Sequence, residues 1–179
     1  MRKTYNIPFI GIEPAIKPAA LKTKTKQIGI LATKGTLQSS LFTKTSELYA
    51  NQINVIEVIG EGLVPIVENN LVNNPETLKL LQKFLEPMIE ANIDYLVLGC
   101  SHYPYLIPQI KKLLPENVVI IDSGRAVALQ TKAVLESNNL LNDIIKKPIC
   151  KFFTNSKNTA LNALLKDYEN TISISYLSF

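Results

Sequence analysis

The chain alternates short apolar runs with longer amphipathic stretches. QIGILAT (27–33), INVIEV (53–58), DYLVLGC (94–100) and NVVIIDS (117–123) are nearly continuous in apolar side chains. That is the pattern of strands covered on both faces. PICKFFT (148–154) predicts a fifth strand, and TISISYL (171–177), which alternates, an edge strand. Between them the apolar positions take helical spacing. Residues 36–49 carry Leu37, Leu41, Phe42 and Leu48, and residues 74–92 place Leu78, Leu81, Leu85 and Met88 on one face. Asn74-Pro75-Glu76 is a helix-start signal for the second of these. Residues 123–137 and 157–168 follow the same period. Apolar strands alternating with amphipathic helices predict βαβ units and a buried parallel sheet. Ahead of the first strand, residues 1–25 hold only the apolar piece PFIGI and one more helical stretch. That is little with which to begin a domain, and it reads as part of something longer.

Composition narrows the picture. Hydrophobic residues make up 46% of the 179 positions and charged residues 19%, enough apolar material for a core. No apolar run has the ~20 residues of a membrane span, and the N-terminus lacks the apolar stretch of a secretory signal. Two cysteines, Cys100 and Cys150, make no disulfide framework, so a cytoplasmic protein with reduced thiols is expected. The net charge of +4 owes something to Lys17, Lys22, Lys24 and Lys26. That cluster lacks interleaved arginines and aromatics, so it is read as a solvated helix end and no nucleic-acid partner is expected. One histidine and two cysteines supply a metal site poorly.

Ligands of open parallel sheets bind beyond the carboxyl ends of the strands. Three short segments follow strand ends here: Thr33-Lys34-Gly35-Thr36, Cys100-Ser101-His102 and Asp122-Ser123-Gly124. They belong on one rim. Cys100 stands at a strand end, before a helix that Pro104 suits in its first turn. A helix start favours the thiolate, and His102 can assist as a cation or as a base. The competing reading is a buried structural thiol beside a surface histidine. Thr33 and Thr36 can hold a carboxylate or phosphate, or simply cap a helix. Glu68, in LVPIVENN, reads from spacing alone as a solvated helix residue, and Asp122-Ser123-Gly124 as a cap. Cys150, within PICKFF, is expected in the core, which leaves a redox thiol pair without its resolving cysteine.

ILATKGT, VPIVE, DYLVLGCSHYPYL and VIIDSG, in this order and with these gaps, resemble the glutamate racemases of the aspartate/glutamate racemase superfamily. Ile7-Pro8-Phe9-Ile10-Gly11-Ile12-Glu13-Pro14 matches an earlier segment of the same family. The resemblance runs from about residue 7 to about residue 155 and implies a cofactor-independent isomerase. In the family two cysteines on opposite faces of the substrate exchange its α-proton. Cys100 matches the second of them, His102 the histidine that assists it, and Glu68 the acidic residue near that half of the site. Ser101, usually threonine in the family, and His102 line the substrate. Thr33 and Thr36 match positions that bind its carboxylates. The implied partner is glutamate itself, converted to its D-form for cell-wall peptidoglycan. Neither nucleic acid nor membrane is implied.

The departure from the family is as informative. Its early DSG loop, its tyrosine-glycine pair and the CNT element with the first cysteine have no counterpart here. The family fold has two similar α/β domains. Carried over, residues 26–124 are the second domain, 1–25 a remnant of the first with the crossover, and 125–179 the return segment of the first. Such remnants expose apolar surface. The resemblance thus implies a chain with one of two bases, inactive alone unless a second copy in a homodimer supplies the other. Aspartate racemase, another superfamily member and a non-catalytic remnant binding an acidic ligand or a partner are the alternatives.

Overall fold

The computed structural model describes residues 4–12, 15–49, 52–142, 150–155 and 159–178. In chain order the elements are α1 (Ile16–Lys22), β1 (Gln27–Ala32), α2 (Lys34–Leu37), α3 (Ser40–Glu47), β2 (Asn54–Ile59), α4 (Leu63–Glu68), α5 (Pro75–Glu90) and β3 (Tyr95–Gly99). A 3₁₀ turn, Tyr103–Leu106, then leads into α6 (Ile107–Ile110), β4 (Val119–Ile121) and α7 (Gly124–Ser137). After β5 (Cys150–Thr154) and α8 (Thr159–Leu165), a second 3₁₀ turn, Lys166–Thr171, precedes β6 (Ile172–Tyr176).

The first four strands form one parallel sheet in the order β2-β1-β3-β4. The run of six predicted strands is observed, and the parallel α/β architecture with it. The central strands β1 and β3 are the most apolar, and their interior positions are buried on both faces. On one face α4, α5 and the turn at Tyr103 enclose Leu31, Leu63, Leu81, Leu85, Met88, Leu96 and Leu98. On the other, Ile16, Ala19 and Ala20 of α1 and Phe42 of α3 cover Ile28, Ile30 and Val97. A helix on each face of a mostly apolar sheet is what hides both sides of β1 and β3 from water.

Asn74 caps α5 by accepting the Glu76 N–H through its side chain at 3.0 Å, as the helix-start signal required. The opposite end of the sheet is tied by Asp94. Its carboxylate accepts from Thr23 Oγ1 at 2.6 Å and from the N–H groups of Lys24 at 2.6 Å and Thr25 at 3.2 Å. Burial opposes its ionisation, but these hydrogen bonds outweigh burial and hold the carboxyl below the usual range.

Three expectations are corrected. The single helix over 36–49 is two, because Ser39 breaks the run and caps α3 by accepting the Phe42 N–H. The strand over 117–123 contracts to Val119–Ile121, since it pairs only with β3 and only over three residues. Cys150, expected in the core, is exposed. It begins β5, which pairs only with β6 in a separate two-stranded parallel sheet, so little covers its faces. Glu13, Pro14, Pro148, Ile149, Lys157 and Asn158 fall in the sequence readings but outside the described residues.

Candidate active site

Chain order and sheet order together decide which side chains meet. β1 and β3 are adjacent and parallel, with Ala32 opposite Gly99, so the residues after each strand emerge side by side. A side chain at Gly99 would bring its Cβ to 2.6 Å from the Ala32 Cβ, so glycine permits this close approach. The chain then turns over the rim at Thr33 and at Cys100.

A cleft of about 440 Å³ opens there, lined by Thr33, Thr36, Gly99, Cys100, Ser101 and Pro104, with Asp122, Ser123 and Gly124 from beyond β4. Ile12 and Leu98 complete its apolar wall. All three strand-end segments identified in the sequence therefore share one rim. Ile12 was not foreseen as a wall residue. The signal was available in PFIGI, an apolar piece with no strand to join.

The two threonine hydroxyls on the rim have defined tasks. Thr33 caps α2 by accepting the Thr36 N–H through Oγ1 at 3.3 Å. Thr36 Oγ1 donates to the Gly99 carbonyl at 3.0 Å, which ties α2 to the end of β3. The two hydroxyl oxygens are 3.0 Å apart. Because the one Thr36 proton is spent on Gly99, the Thr33 hydroxyl is the donor of this pair that can turn toward an anion. The cap and anion-binding readings of Thr33 are thus compatible. On the far wall the Asp122 carboxylate accepts the Gly124 N–H at 2.6 Å, so that acid closes the turn into α7.

Behind the thiol lies a row of three titratable groups. Cys100 Sγ is 3.9 Å from His102 Nδ1, and His102 Nε2 is 3.2 Å from Glu68 Oε1. Glu68 arrives from the last residue of α4, thirty-four positions earlier, so this contact is a product of tertiary folding. His102 is partly buried and Glu68 exposed, and neither lines the cleft. A carboxylate on one ring nitrogen fixes the tautomer and orientation of an imidazole. The other nitrogen then faces the sulfur. Among the described residues no group of three histidine, cysteine, aspartate or glutamate side chains could hold a metal ion. No helix among them is long and apolar enough to cross a membrane.

Tyr103 was missed by the sequence reading. It is fully buried, and its hydroxyl donates to the Gly60 carbonyl at 2.9 Å. Burial, with a smaller contribution from a thiolate at Cys100, pushes that hydroxyl above its ordinary range.

Residues 1–131 match the family model described as Asp/Glu/Hydantoin racemase. The glutamate racemase of Pseudomonas putida F1 is 40% identical over 160 residues, which are 88% of this chain and 59% of that one. That of Deinococcus radiodurans is 37% identical over 167 residues, 92% of this chain and 58% of that one. The chain therefore spans less than two thirds of these relatives' length. The solved glutamate racemase isoform RacE1 of Bacillus anthracis superposes with a TM-score of 0.83 at 30% identity, covering 99% of this chain and 67% of that one. The Escherichia coli glutamate racemase, solved with L-glutamate and the activator UDP-MurNAc-Ala, gives 0.79 at 28% identity. By its sequence and by a parallel sheet whose strand ends gather a thiol, a histidine and two threonines, the chain belongs to the Asp/Glu/Hydantoin racemase family.

Proposed function

We propose that this chain supplies one acid/base half of a glutamate racemase, an isomerase that interconverts L- and D-glutamate without a cofactor, and that the D-form serves peptidoglycan synthesis. The observation that carries the reading is the row Cys100–His102–Glu68 set beside the Thr33/Thr36 rim of one cleft. Cys100, as thiolate, takes the α-proton from one face of the substrate, or as thiol returns it. His102 holds or releases the matching proton at Nδ1, and Glu68 keeps the ring turned toward the sulfur. The Thr33 hydroxyl and Ser101 meet a substrate carboxylate, and Thr36 holds the rim in place through Gly99. Inversion needs an acid and a base on opposite faces of the α-carbon. Cys100 is the one thiol among the described residues that line the cleft, so in this scheme the second base is supplied from elsewhere, opposite Cys100. In this scheme residues 26–124 are the lobe that bears Cys100, and residues 1–25 and 125–179 belong to the other lobe.

The test is circular dichroism on L- and D-glutamate, with NMR of the α-proton in deuterated water. The 179-residue chain alone is expected not to racemise glutamate. A fusion to the part of the Pseudomonas putida relative that this chain does not span is expected to racemise glutamate in preference to aspartate, and Cys100→Ala is expected to abolish it. Robust inversion by the chain alone would mean that a second copy supplies the other base. A fusion that folds and stays inert would favour a second reading, an acidic-ligand site without proton transfer, which the single thiol in the cleft also fits.

A further inference from the structure

We propose that Tyr103 is the positioning residue that holds the Cys100–His102–Glu68 row in register, by fastening the turn that follows Cys100 to the start of α4. This rests on the roles assigned above to those three residues, and it adds the device that keeps them aligned. His102 and Glu68 sit on different elements, a partly buried turn after β3 and the end of a six-residue helix. Their 3.2 Å contact is solvent-accessible at both partners, so it cannot by itself hold the two elements together. Tyr103 can. Its N–H donates to the Cys100 carbonyl at 3.2 Å, and its hydroxyl reaches across to the Gly60 carbonyl at 2.9 Å. The same carbonyl accepts the N–H of Leu63, the first residue of α4, at 3.3 Å. Gly60 in turn donates its N–H to the Ala32 carbonyl at 2.9 Å, at the end of β1. The buried tyrosine thus joins the turn after β3 to Gly60, at the end of β2, which is itself bonded to the end of β1. The fit is close: a Cβ at Gly60 would stand 2.5 Å from the tyrosine oxygen and 2.8 Å from Leu63 Cδ1. Leu63 and Val67 of α4 are fully buried in the same cluster as the Tyr103 ring, so α4 is a rigid arm whose last residue is Glu68.

The experiment follows alkylation of Cys100 by iodoacetamide in the whole chain, read at the Cys100 peptide by mass spectrometry, with Cys150 as internal control. Tyr103→Phe keeps the ring and removes the hydroxyl. It is expected to slow Cys100 several-fold, to leave Cys150 unchanged, and to have less than a twofold effect in a His102→Asn or Glu68→Gln background. An equal effect in all backgrounds, or none in the parent, overturns the inference. If His102→Asn alone leaves the Cys100 rate unchanged, the assignment of the row itself fails, and the inference with it. If His102→Asn slows Cys100 while Tyr103→Phe does not, only the inference fails. Should Tyr103→Phe lose cooperative melting, 3-fluorotyrosine incorporation keeps ring and hydroxyl and strengthens the donor. A changed Cys100 rate that vanishes in His102→Asn then supports the inference, and no change overturns it.

Discussion

Residues 26–124 and the segment beyond Gly124 use the same vocabulary, apolar strands and amphipathic helices, with opposite results. In the first, β1 and β3 are flanked by strands at their edges and by helices on both faces, and Ile28, Ile30, Leu96 and Val97 have no exposure at all. In the second, α7 buries none of its residues, and among the described residues beyond Gly124 only Ala160 is buried. Phe153 and Tyr176, on the paired strands β5 and β6, are 54% and 66% exposed. Two strands alone are marginal in water, because a sheet gains stability when both its edges and a face are covered. The lesson is that an apolar pattern states what an element needs to be buried against. It does not supply the partner.

Cutting a large apolar side chain from each region tests this contrast directly. Leu96→Ala, at the centre of the sheet, is expected to cost about 2–5 kcal/mol in chemical denaturation. Phe153→Ala is expected to stay within about 0.5 kcal/mol in the same measurement. Comparable losses would show that the C-terminal segment is as firmly packed as the sheet.

A second measurement tests whether the sheet region is also held by its polar ends. Asp94→Asn keeps the shape but gives up the carboxylate that ties Thr23, Lys24 and Thr25 to β3, at an expected cost of about 1–3 kcal/mol near neutral pH. The pH dependence comes from the sign of the shift. The folded-state pKa of Asp94 is depressed, so its contribution is present above the ordinary aspartate range. It is lost as pH falls below that range and through the folded value. Denaturation midpoints of parent and Asp94→Asn should therefore converge on acidification. Parallel curves down to the lowest pH at which both fold would remove Asp94 from the account.

The smallest effect is expected at the rim. Thr33→Ala removes the cap of the four-residue helix α2 and should cost about 1 kcal/mol of stability. In the active fusion it should also weaken glutamate binding, read as a raised KM. Thr33→Ser restores the hydroxyl and should recover both. A stability loss with unchanged KM would leave Thr33 as a cap alone.

The strands from Gln27 to Ile121 and the long helix α5 were legible because period and run length report burial directly. The rim was legible through one rule, that parallel strands deliver the residues after their carboxyl ends to a common edge. The break between α2 and α3 was less visible, since Ser39 as a cap competes with an unbroken apolar period. Cys150 was misread because the run PICKFF says nothing about whether anything packs on it. Glu68 was unremarkable by spacing. Its meeting with His102 depends on the docking of α4, which is set by Leu63, Val67, Tyr103 and the Gly60 carbonyl. The order of the elements, the apolarity of β1 and β3, and the positions of Thr33 and Cys100 at strand ends follow from the residue pattern alone. These are local properties carried by adjacent residues. Which rim side chains touch, the meeting of Glu68 with His102 behind Cys100, and the exposure of β5 and α7 among the described residues were set by tertiary contacts. Those outcomes depend on contacts between distant segments, and no local pattern encodes the distance between them.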